Sequence, residues 1–84
     1  MRDLKSIVIF GSRDDERVIW LKCLLIKCGV CNFADGCLKA ERRRPFMDEN
    51  SVGLFIVSRS TVGPDEMEDI SAVAQRLSVP VLHL

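Results

Sequence analysis

Two short runs, "SIVIF" at Ser6–Phe10 and "VGLFIVS" at Val52–Ser58, carry apolar side chains on both of their alternating faces. A strand points successive side chains to opposite sides, so a run that is apolar on both sides has to be covered on both. Each run leads through a turn into a longer stretch whose apolar residues recur at helical spacing. Strands that alternate with helices and are buried on both sides build a parallel sheet with helices packed against it.

The remaining elements follow from local signals. A first helix is predicted over about Arg13 to Cys28, with Ser12 as its cap and Asp15, three residues on, completing an approximate capping box. Gly29 then supplies the left-handed residue that ends it. "VCNFAD", Val30 to Asp35, reads as a second strand, and "LKAERRR", Leu38 to Arg44, as a short polar helix stopped by Pro45. After Ser60–Gly63 a third helix opens at Pro64, with Met67, Ile70, Val73, Ala74 and Leu77 as its apolar stripe. "VPVLHL", Val79 to Leu84, closes the chain as a strand. The expected architecture is a single α/β domain over residues 1–84 with the order β-α-β-α-β-α-β. Right-handed crossovers make it a small three-layer, doubly wound parallel sheet of four strands in the order 2-1-3-4, flavodoxin-like or Rossmann-like.

Such a sheet offers a ligand crevice where the loops after its first and third strands diverge. Those loops are "GSRDDE" and "SRSTVGPDE". Gly11, Ser12, Arg13, Ser58, Arg59, Ser60 and Thr61 would line the crevice, offering backbone N–H groups, hydroxyls and two guanidinium groups to a small anionic ligand such as a nucleotide or phosphate. Electrostatics point the other way. Asp14, Asp15 and Glu16 open one helix, and Asp65, Glu66, Glu68 and Asp69 open another, so both helix dipoles already face carboxylates. The glycine patterns of dinucleotide and P-loop sites are absent. Asp14 and Asp15 after the first strand invite comparison with the magnesium site of receiver domains, but that site needs an aspartate where Ser58 stands and a fifth strand and helix.

Composition narrows the function classes. Twelve Lys and Arg balance twelve Asp and Glu, so no net field draws the chain to nucleic acid. The cluster Lys39, Arg42, Arg43 and Arg44 has Glu41 inside it and reads as a solvated helix face. No uncharged apolar stretch is long enough for a membrane span or a signal peptide, which makes a cytoplasmic location the expectation. Cys23, Cys28, Cys31 and Cys37 echo the spacing of an iron–sulfur site, but the first two fall inside a helical pattern. Buried free thiols are the expected state, with no metal and no cofactor. The single histidine, His83, is expected away from the crevice, and no residue stands out as catalytic.

The first helix departs from what a monomer requires. Nine of the eleven residues from Val18 to Cys28 are apolar, the exceptions being Lys22 and Lys27. Val18, Leu21, Leu25 and Cys28 form a stripe suited to the sheet, which leaves Ile19, Trp20, Cys23, Leu24 and Ile26 pointing elsewhere. Chain order leaves this helix alone on its side of the sheet, where one helix shields only about two strands. A second copy in a twofold dimer would cover the rest, and so would a neighbouring domain. The expected function is therefore a non-catalytic interaction domain that self-associates through its first helix. A small-ligand binding or sensing domain using the crevice loops is the alternative.

"IVIFGSR", "WLKCLLIKCG" and "ADG", followed by "LFIVSRS" and "VPVLHL", resemble a small bacterial and archaeal family of α/β domains, the domain-of-unknown-function 2325 family. The likeness runs along the whole chain and implies the fold, not an activity. The family usually has a second glycine where Ser12 stands here. Locally, "FGSRD" is similar to the opening of nucleotide-sensing domains of the SLOG type, but "CNFADGCLKA" lacks their glycine-rich stretch.

Overall fold

A computed structural model describes residues 5–36 and 51–84. The predicted polar helix at Leu38–Arg44, its basic cluster and Cys37 lie outside these residues. The described elements are β1 (Ser6–Phe10), α1 (Glu16–Lys27), β2 (Phe33–Asp35), β3 (Val52–Val57), α2 (Pro64–Leu77) and β4 (Val81–His83). The four strands form one parallel sheet in the order β2-β1-β3-β4, as the alternating pattern requires.

The two faces of the sheet are covered unequally. Toward α2, Val8, Phe10, Phe55 and Val57 pack with Ile70, Ala74, Leu77, Val62 and Val79, all buried. The rings of Phe10 and Phe55 meet edge to face at 5.1 Å, a favoured aromatic geometry. Toward α1, among the described residues, the buried set is Ile9, Ile56, Val18 and Leu21, with Ile7, Phe33, Leu25, Leu54 and Leu84 half-covered around it. Among the described residues, α1 alone covers that face, and it leaves the β3–β4 half thinly covered. Leu82 pairs in register with Ile56, shares its face, and is 51% exposed.

Several boundaries differ from the sequence expectation. The helix α1 begins at Glu16, not near Arg13, because Asp15 is its N-cap: its side chain accepts from the Arg17 N–H at 2.9 Å. Ser12 caps a tighter turn instead, its hydroxyl accepting from the Asp14 N–H and its carbonyl from the Asp15 N–H. Gly29, at φ 81°, closes α1 as anticipated, with its N–H bonded to the Ile26 carbonyl and the Val30 N–H to that of Leu25. The strand β2 is shorter than its apolar run, since it pairs with β1 only from Phe33 to Asp35. The cysteines overturn an expectation. Cys23, Cys28 and Cys31 are all exposed thiols, because the first lies on the solvent side of α1 and the others flank the turn at Gly29.

Candidate functional site

Geometry at the ends of β1 and β3 follows from one hydrogen bond and one missing side chain. The Ser58 N–H donates to the Phe10 carbonyl at 3.0 Å and ties the two strand ends together. Gly11, the next residue after Phe10, then passes so close to the opposite loop that a Cβ on it would stand 3.2 Å from the Ser58 Cβ and 2.8 Å from the Val18 side chain. Only glycine fits that approach. The Ser12 N–H donates to the Thr61 hydroxyl oxygen at 3.0 Å, which joins the loops a second time.

Five of the seven residues expected at the switch point, Gly11, Ser12, Ser58, Ser60 and Thr61, come together, and a carboxylate of the chain lies among them. It is the Asp15 carboxylate. Its Oδ2 accepts hydrogen bonds from the Ser60 hydroxyl at 2.9 Å, from the Thr61 hydroxyl at 2.8 Å and from the Ser58 hydroxyl. Its Oδ1 accepts from the Arg17 N–H. Ser58 has no exposed surface and Asp15 is 7% exposed, so a charged group is held out of water by four neutral donors. The Ser58 hydroxyl, then that of Thr61, hold the carboxyl well below the usual carboxylate range against the opposing effect of burial. Position at the start of α1 acts in the same direction, since a helix N-terminus favours negative charge.

The arrangement sorts the predicted residues into two groups. Gly11, Ser12, Ser58, Ser60 and Thr61 converge on Asp15 or hold the loops that do. Arg13 and Arg59 are exposed on the turns. The residue not expected among the crevice donors is Asp15 itself, read from the sequence as the third helical residue of a capping box. Its signal was an aspartate at a helix start facing three hydroxyl residues across the crevice. His83 also sits elsewhere than anticipated. It pairs in register with Val57, so it lies at the same end of the sheet as Ser58, because parallel strands all end on one side.

The predicted interface residues share the solvent face of α1. Ile19 is 48% exposed, Trp20 63%, Leu24 40% and Ile26 61%, and Cys23 is exposed among them. Lys22, on the flank of this face, forms an ion pair at 2.5 Å with Asp35 of β2. Among the described residues no helix is long and apolar enough to cross a membrane, and no group of His, Cys, Asp and Glu is placed to hold a metal ion. The chain matches no protein-family model, and no curated protein or solved structure matches it.

Proposed function

We propose that this chain is a non-catalytic α/β interaction domain that self-associates through α1. The observation that carries the reading is the exposure of Ile19, Trp20, Leu24 and Ile26 beside a sheet face whose Leu82 is also open. A fully exposed large apolar side chain presents about 100–200 Å², so these five leave roughly 500 Å² uncovered. That matches the largest apolar patches of soluble monomers, which are often functional. It also supplies most of the roughly 800 Å² that each partner contributes to a standard interface.

The shape of the patch favours a second copy as the occupant. It consists of one helix face and a half-covered sheet face of the same chain, so two copies related by a twofold axis can each lay α1 over the other's Leu54, Leu82 and Leu84. The chemistry of the crevice supports a non-catalytic role. A carboxylate held below its ordinary pKa is a weak base, and Ser58, sealed from solvent, is no accessible nucleophile.

Sedimentation velocity over a wide range of protein concentrations tests the reading. The wild type should sediment as a dimer that dissociates on dilution, and Trp20→Glu should sediment as a folded monomer throughout. A wild type that stays monomeric at every concentration would reject self-association.

A further inference from the structure

We infer that the loops after β1 and β3 form a receptor for one small carboxylate, and that Asp15 fills this receptor as a built-in ligand. The donors come from two sources that the fold brings together. Three hydroxyls, of Ser58, Ser60 and Thr61, converge on Oδ2 from the loop after β3, and one backbone N–H, of Arg17, meets Oδ1 from the first turn of α1. All four donors are neutral, and the set is matched to a group with two acceptor oxygens. The Ser58 and Ser60 hydroxyls also lie 3.0 Å apart, but one hydrogen bond between them uses only one of their protons, and the carboxylate is the acceptor within reach of all three hydroxyls.

The consequence concerns the crevice as a ligand site. In open α/β sheets the crevice at the carboxyl ends of the strands, where the strand order reverses, is where ligands from solution bind. Here the same donors are already taken by a side chain that is covalently attached and therefore always present. An external oxyanion has to displace Asp15, and while Asp15 stays in place the crevice is closed to it. This inference does not depend on self-association, which involves the solvent-facing side of α1 and the face of the sheet.

Vacating the receptor tests it. Asp15→Gly removes the carboxylate while leaving a residue that helix N-caps accept. Thermal unfolding of this variant is to be followed with formate, acetate and chloride as probes. Formate should raise the midpoint of Asp15→Gly saturably, with at least about a tenfold lower half-saturating concentration than chloride, as one charge-assisted hydrogen bond requires. The wild type should show only the shallow shift that it shares with chloride. Adding Ser58→Ala to Asp15→Gly should abolish the formate response. If Asp15→Gly is unfolded without additive, formate should restore its circular dichroism, and failure to do so would overturn the inference. So would a formate effect no larger than that of chloride, or an equal effect on the wild type. Asp15→Asn is a second check. Its amide keeps the shape but turns a donor toward hydroxyl donors, so it should melt below the wild type and ignore formate; wild-type stability in Asp15→Asn would also reject a carboxylate receptor.

Discussion

Ser58, which directly follows β3 and has no exposed surface, donates its hydroxyl proton to the carboxylate of Asp15, forty-three residues earlier in the chain. This contact joins the loops on either side of the sheet's switch point. It also makes folding depend on the ionised form of Asp15, because the folded carboxyl is held well below its ordinary pKa, chiefly by this hydroxyl and that of Thr61.

The sign of the pH dependence follows from linkage. A depressed folded-state pKa stabilises the protein above the unfolded value, near about 3.9, and the contribution is lost as pH falls from there toward the lower folded-state value. Ser58→Ala raises the folded pKa back toward the unfolded one. The stability gap between wild type and Ser58→Ala should therefore be widest at neutral pH and should narrow once pH falls below the variant's own folded-state value, which Thr61, Ser60 and the Arg17 N–H still hold under the unfolded one. Urea unfolding of both proteins in steps from pH 7 down to about pH 2 measures the gap. A gap that stays constant over the whole range would mean that the Ser58 hydroxyl does not act through the charge on Asp15.

Gly11 makes the close approach of the two loops possible. An added Cβ would meet Val18 at 2.8 Å, with Ser58 and Thr61 just beyond, so a neighbour in the core has to move. Gly11→Ala should cost about 1–3 kcal/mol, the usual range for overpacking a tight site. Denaturant titration should show a lower midpoint with an unchanged slope. Unaltered stability would show that the loops can separate freely.

The elements that were legible in the sequence are those fixed by local patterning. "SIVIF" and "VGLFIVS" had to be central strands because both of their faces are apolar, and Gly29 and Pro64 marked helix ends by backbone constraints that need no tertiary information. The meeting of Ser12 with Thr61 was legible too, since the strand order places their loops side by side. The role of Asp15 was not. Ser12 and Asp15 have the spacing of a capping box, and only the contact with Ser58 reveals that the helix starts later, with Asp15 as its cap. Exposure of the cysteines was equally hidden. A thiol is apolar enough to read as core, and its side of the helix is settled by where the sheet lies.

Ser78 ends α2 in the left-handed region at φ 56° and ψ 42°, with its N–H bonded to the Gln75 carbonyl and the following Val79 N–H bonded to that of Ala74. The motif is the one that glycine usually completes, and Gly29 does so for α1. Ser78→Gly relieves the clash of Cβ but adds freedom to the unfolded chain. The balance should favour the variant by about 0.5–1 kcal/mol. A higher urea midpoint checks it, and a lower one would mean that the serine side chain makes a compensating contact.

The faces of α1 should separate cleanly by mutation. Leu21 is buried against the sheet, so Leu21→Ala should destabilise the fold by about 2–5 kcal/mol whatever the assembly state. Ile26 is 61% exposed in the isolated chain, so Ile26→Glu costs the monomer little. In a dimer that covers this face, the same substitution places an unpaired carboxylate in an apolar contact, at a cost of several kcal/mol. Ile26→Glu should thus keep the wild-type circular dichroism while its sedimentation coefficient falls to that of a monomer. Leu21→Ala should lower the unfolding midpoint, and its remaining folded fraction should still associate. If Ile26→Glu keeps both its fold and a dimer's mass, the association surface lies away from this face of α1.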